Sequence, residues 1–177
     1  REVKYCANGS AAATAFNIVT VSTGGHAPPA VPRLATTTSS CGFCGTNEID
    51  ELAARLAPVI GDPIDWSVLA EAPDKLRPGQ GLFDATGAVH AAGIVDPTGG
   101  VGLIREDVGR HNALDKAIGE AANKGVDLTS SIAVLSGRMG FDLVVKCLRV
   151  RIPIMVSVSA PSALAFDLCQ AAGATLL

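Results

Sequence analysis

The C-terminal part of the chain limits the fold most. Apolar runs at 132–135, 154–158 and 174–177 carry no polar alternation, and helix-patterned stretches at 109–122, 141–150 and 162–172 lie beside them. A strand that is apolar throughout is buried on both faces. Strands and helices alternating at this spacing form crossover units, which predicts an α/β fold with a parallel or mixed sheet. Upstream, 89–95 and 101–105 read as strands of a hairpin closed by a turn over 97–100. A short helix is predicted over 66–72, and a longer one over 48–59 with Ile49, Leu52, Ala53 and Leu56 on one face. The stretch 74–86 is ambiguous, because Pro78 and two nearby glycines break its period. Near the start, 15–22 reads as a strand paired with 2–7, and 24–33 as a loop containing three prolines and two glycines.

A length of 177 residues suits one domain, or one domain with a small appendage. With aromatics at only 4%, Ala, Val, Leu and Ile must build the core. The net charge of -3 argues against non-specific nucleic-acid binding, which needs a basic patch. No apolar run reaches membrane-spanning length, and the longest, 152–158, contains Pro153. No basic-then-apolar leader opens the chain, and it ends on an expected strand, so it reads as a piece of a longer protein. Cys6, Cys41, Cys44, Cys147 and Cys169 are odd in number and lack framework spacing. That is a poor match to a secreted disulfide scaffold, and it points to a reducing cytoplasm.

The clearest chemical feature is Cys41-Gly-Phe-Cys44, in a stretch (34–47) rich in Thr, Ser and Gly and expected to be an exposed, mobile loop. Two intervening residues let both sulfurs face one point, which serves zinc binding, disulfide exchange and sulfur relay alike. Structural zinc normally takes four ligands, and neither a second cysteine pair nor paired histidines accompany this one. A thioredoxin-like pair would sit at a strand end opening a helix, whereas this pair follows a Thr/Ser run. Two inert cysteines are the plain alternative, although exposed Gly-rich loops seldom need cysteine for packing. Cys147 and Cys169 lie in apolar helical patterns and read as small core residues.

The second dense segment is Arg105-Glu-Asp-Val-Gly-Arg-His-Asn-Ala-Leu-Asp-Lys116. Asp107 is placed to cap the helix that follows. His111 shares a face with Leu114 and Ile118, so it points inward in the first turn, where the positive helix end favours neutral imidazole. Asp115, one turn on, is positioned to orient it. A buried, hydrogen-bonded histidine is the plain alternative. Two further strand-to-helix joints, Ser136-Gly-Arg-Met-Gly140 and Ser157-Val-Ser-Ala-Pro-Ser162, offer small residues and backbone N–H groups of the kind that hold anions. Arg138 adds a fork suited to phosphate. In a parallel sheet such joints gather at the C-terminal edge of the strands. Neither matches a P-loop or a dinucleotide fingerprint.

Taken together, Thr36-Thr-Thr-Ser-Ser-Cys-Gly-Phe-Cys-Gly45, Ala85-Thr-Gly-Ala-Val-His-Ala-Ala92, the 105–116 segment, Ser136-Gly-Arg138 and Val156-Ser-Val-Ser-Ala-Pro161 resemble the FdhD family. These are accessory sulfurtransferases of formate dehydrogenase. The resemblance implies a three-layer αβα, cytidine-deaminase-like core over 48–177, a mobile Cys-x-x-Cys loop over 34–47, and a remnant of an N-terminal β-rich portion over 1–33. It implies a cytoplasmic homodimer. Sulfur would pass from a cysteine desulfurase to the molybdenum bis-guanine-dinucleotide cofactor needed by formate dehydrogenase. Cys41 then looks like the persulfide carrier and Cys44 its helper, with His90, Asp107, Arg110, His111, Ser136, Arg138 and Ser159 near the cofactor and no resident metal. Family members extend beyond both ends of this chain, with a Gly-Phe-x-Arg-type segment after the position of Leu177.

Three other readings stand beside it. A nucleotide deaminase would need a glutamate after its helix-start histidine and a later Pro-Cys-x-x-Cys, and both are missing. A chaperone could carry molybdenum cofactor without moving sulfur. A dithiol oxidoreductase would use the cysteine pair for electrons alone.

Overall fold

The computed structural model describes residues 2–5, 19–27 and 56–177. The chain falls into two compact units, Arg1–Thr36 and Thr37–Leu177. In the first, strand β1 (Glu2–Tyr5) pairs antiparallel with β2 (Val19–Ser22), Glu2 opposite Ser22, as expected for the described parts of 2–7 and 15–22; residues 6–7 and 15–18 lie outside the described residues. A turn follows, with Gly24 and Gly25 at positive φ.

The second unit holds α1 (Trp66–Glu71), a 3₁₀ helix (Asp74–Gly79), α2 (Gly81–Thr86), β3 (His90–Val95), β4 (Val101–Asp107) and α3 (Arg110–Asn123). A 3₁₀ turn (Leu128–Ser130), β5 (Ile132–Leu135), α4 (Phe141–Arg149), β6 (Ile154–Ser157), α5 (Ala163–Ala172) and β7 (Thr175–Leu176) complete it. The five strands lie in the order β4-β3-β5-β6-β7. β3 is antiparallel to both β4 and β5, whereas β5, β6 and β7 run parallel. The sheet is therefore mixed, and its parallel half comes from the apolar runs that demanded crossovers.

Alternate residues of the strands enter two separate cores. Ala133, Leu135 and Met155 join α3, α4 and α5 through Leu114, Leu143, Val144 and Leu168. Ile132, Val134, Ile154 and Val156 point the other way, against Leu69, Ala72 and Leu76 from α1 and the 3₁₀ helix. Period-2 alternation makes three layers from one sheet. Gly93 sits where a Cβ would lie 2.6 Å from Leu76, so a bare backbone lets the 3₁₀ helix settle on β3. The β3–β4 turn is closed by the Asp96 carboxylate, which accepts from the N–H groups of Thr98 (2.8 Å) and Gly100 (3.1 Å). Cys147 and Cys169 are buried core residues, as expected, and burial pushes their thiols up to about 12 and about 11.

Three expectations need correction or limits. Leu56–Val59, the described end of the helix expected over 48–59, lies outside any helix, and Val59 instead donates its N–H to the Ala172 carbonyl (2.9 Å). The remainder of that helix, the loop over 34–47 and Cys6, Cys41 and Cys44 fall outside the described residues. The ambiguous stretch 74–86 is two short helices that meet at Gln80, and Pro78 is accommodated within the 3₁₀ turn. Among the described residues, no helix is long and apolar enough to cross a membrane.

Candidate functional site

Sheet geometry brings the predicted residues to one edge. β5 and β6 end at Leu135 and Ser157, and antiparallel pairing sets His90 opposite Asp107 at the same edge. The joints after β5 and β6, the start of β3 and the start of α3 therefore converge. Two openings result.

The first is a cleft of about 550 Å³ lined by Arg77, Gln80, Phe83, His90, Ser136 and Val158, with residues 87–89. The Ser136 hydroxyl accepts the Ala91 N–H (2.8 Å), and the Ser136 N–H donates to the Ala91 carbonyl (3.0 Å). The serine thus prolongs the β3–β5 ladder, and its own hydroxyl proton is left available to a ligand. Gly137 lies against the His90 ring, where a Cβ would be 3.1 Å from Nδ1. Arg77 stacks over Phe83, its guanidinium carbon 5.1 Å from the ring centre.

The second is a cup of about 390 Å³ lined by Arg110, Arg138, Met139, Gly140, Ala160, Pro161 and Ser162. Gly140 and Ser162 are the N-caps of α4 and α5, so the positive ends of two helices flank two guanidinium groups. Arg110 Nε is buried without a hydrogen-bond partner among the described residues, and neither arginine forms an ion pair there. Two forks unpaired among the described residues, set beside helix starts, suit an anion. The Ser157 hydroxyl contacts the carbonyls of Gly137 and Ser159, each at 2.8 Å, and joins the two loops at the rim.

Behind the cup, Asp107 does not cap α3. The N-cap is Gly109, with no side-chain cap bond. Instead Asp107 Oδ1 accepts from the Gly109 N–H (2.9 Å) and from Asn112 Nδ2 (3.1 Å), and its other oxygen pairs with Lys116. These donors hold its carboxyl down at about 2, the Lys116 hydrogen bond most strongly. The carboxylate is spent on ordering the turn that aims Arg110. His111 is also supported differently from the expectation. Its Nε2 meets Asp142, in the first turn of α4, whereas Asp115 pairs with Lys146. An ionised Asp142 can only accept, so neutral His111 carries its proton on Nε2 and keeps a lone pair on Nδ1. Burial is the main cause that lowers the His111 pKa, outweighing the pull of Asp142. Neutrality was the expectation, but it follows mainly from burial.

Of the seven predicted cofactor residues, His90 and Ser136 line the cleft, and Arg110 and Arg138 line the cup. Asp107 and His111 stand behind the cup, and Ser159 lies outside both linings on the connecting loop. Sequence reasoning missed Arg77, Gln80, Phe83 and Asp142. The Phe83 spacing to Arg77 was hidden by the break at Gln80, and Asp142 reaches His111 from 31 residues away.

Comparison with known proteins bears on this edge. A family model described as the FdhD/NarQ family matches residues 2–177. The sulfur carrier protein FdhD of Xanthomonas campestris pv. campestris (strain B100) is 48% identical over 141 residues, covering 78% of this chain and 50% of that protein. That of Streptomyces avermitilis is 39% identical over 186 aligned residues, covering 100% of this chain and 66% of the relative. The chain thus spans half to two thirds of these relatives' length. A crystal structure from Desulfotalea psychrophila, described as a formate dehydrogenase accessory protein, superposes with a TM-score of 0.64 at 32% identity, over 71% of this chain and 54% of that one.

Proposed function

The chain belongs to the FdhD/NarQ family, and from that premise we propose that it is a sulfur carrier serving formate dehydrogenase. Cys41 accepts persulfide sulfur from a cysteine desulfurase. Its thiolate attacks the outer sulfur of the donor's persulfide, a new S–S bond forms, and the donor thiolate leaves, with no outside oxidant. The sulfur's destination is the molybdenum bis-guanine-dinucleotide cofactor, taken as a substrate. Attack by the Cys44 thiolate on the inner Cys41 sulfur would release the outer sulfur as sulfide and leave a disulfide, which a dithiol reductant resets. The protein works as a cytoplasmic homodimer on a cytidine-deaminase-like core, with a sulfurtransferase activity centred on Cys41.

The observation that carries this reading is the cup at Arg110 and Arg138. Two guanidinium groups unpaired among the described residues, set between two helix starts, are suited to the phosphates of a guanine nucleotide. His90 and Ser136 in the adjoining cleft then offer hydrogen bonds to the rest of that ligand. The test is intact-mass analysis after incubation with a cysteine desulfurase and cysteine. The expected result is a gain of one sulfur mapping to Cys41, together with loss of formate dehydrogenase activation in Cys41→Ala. A variant that still activates the dehydrogenase would instead identify a cofactor chaperone.

A further inference from the structure

One wall of the cleft has no visible means of support in its own sequence. Helix α2 has only six residues and buries none of them; Leu82 is 55% and Phe83 36% exposed. A helix this short without an apolar face does not hold itself. Its N-cap, Gln80, makes no side-chain cap bond. The Glu106 carboxylate fills that place from β4, across the sheet edge. The Leu82 N–H donates to Glu106 Oε2 and the Phe83 N–H to Oε1, both at 2.8 Å. Glu106 is on the same side of β4 as Ile104, which packs so closely on Gly79 that a Cβ there would lie 2.6 Å from it. Strand β4 therefore holds the wall segment at both ends, through a packed side chain at Gly79 and a two-pronged carboxylate at Leu82 and Phe83. The wall also carries the Arg77–Phe83 stack and an Arg77–Asp84 ion pair, both exposed.

We infer that Glu106 is a positioning residue for the cleft, fixing α2 so that the Arg77–Phe83 pair presents one face to a ligand beside His90 and Ser136. The inference rests on the nucleotide reading proposed above. Glu106 itself does not line the cleft and acts through α2. The arrangement is charge-assisted at both prongs, so losing it should matter more than losing an ordinary surface contact.

The test compares the full chain with Glu106→Ala and Glu106→Gln, using GDP as the probe in titration calorimetry and amide hydrogen exchange as the local readout. In Glu106→Ala, amides of α2 should exchange faster while those of β5 stay protected, and GDP affinity should fall about tenfold or more. Glu106→Gln retains one acceptor oxygen and should fall between. Unchanged α2 protection in both variants overturns the inference, as does a loosened α2 with undiminished GDP affinity. A wild-type chain with no GDP affinity sinks the nucleotide reading first, and the role of Glu106 toward a ligand goes with it. If Glu106→Ala fails to fold, the graded loss in Glu106→Gln decides the matter.

Discussion

The cup and the cleft share one sheet edge but are held by opposite means. The cup stands on α4 and α5, whose inner faces are sunk in the core through Leu143, Val144, Val145, Leu148, Leu168 and Cys169. The cleft leans on α2, which buries nothing and is held by polar ties. An anion site gains from donors that cannot move, because preorganised donors need no rearrangement when charge arrives. A wall on polar ties depends on those few donors and acceptors, so losing one of them loosens it locally. The core-anchored half and the polar-tied half of one binding edge can thus be told apart by what each one buries.

The largest effect is expected where the cup rests on the core. Leu143→Ala beneath the cup should cost about 2–5 kcal/mol in chemical denaturation, while Leu82→Ala on α2 should stay within about 0.5 kcal/mol. Equal costs would erase the distinction. Next come the cup arginines. Arg110→Ala and Arg138→Ala should each weaken GDP about tenfold in calorimetry and flatten the salt dependence of binding, with folding stability little changed. A smaller effect is expected at Asp107. Its carboxyl is depressed to about 2 in the folded chain, so its contribution is present above the ordinary value of 3.8 and is lost as pH falls through about 2. Asp107→Asn should therefore flatten the acid limb of a stability–pH curve between about pH 4 and pH 2. The subtlest test is His111. Its pKa is lowered, so its neutral form should persist below the ordinary 6.5 in an NMR titration, and stability linked to it should decline only as pH drops beneath 6.5. A raised value would mean that Asp142 dominates over burial.

The parts of the fold legible in the sequence were those whose pattern repeats locally. The strands at 132–135 and 154–157 and the helix between them follow from uninterrupted apolar runs and 3.6-residue spacing. The two joints after β5 and β6 were legible too, since small residues at strand ends mark where ligands sit in such sheets. What could not be read depended on contacts distant in sequence. α2 opens on Gly81 just after Pro78 and Gly79, and Glu106 supports it from 23 and 24 residues away. Asp107 looked like a cap because it lies two residues before the expected helix start at 109, yet Lys116, nine residues on, claims it. Asp115 was the nearer carboxylate for His111 in sequence, but Lys146 holds it, and Asp142 takes the histidine from the neighbouring helix.

Glu106 and Asp107 are consecutive on β4, so their side chains leave opposite surfaces of the strand, one toward α2 and the other toward the turn before α3. Insertion or deletion of a single residue ahead of them would exchange those surfaces, detaching the wall and releasing the turn in one stroke. Length variation in this hairpin should consequently be confined to its far end, at 97–100, where an added residue changes a loop and leaves the parity of the strand intact.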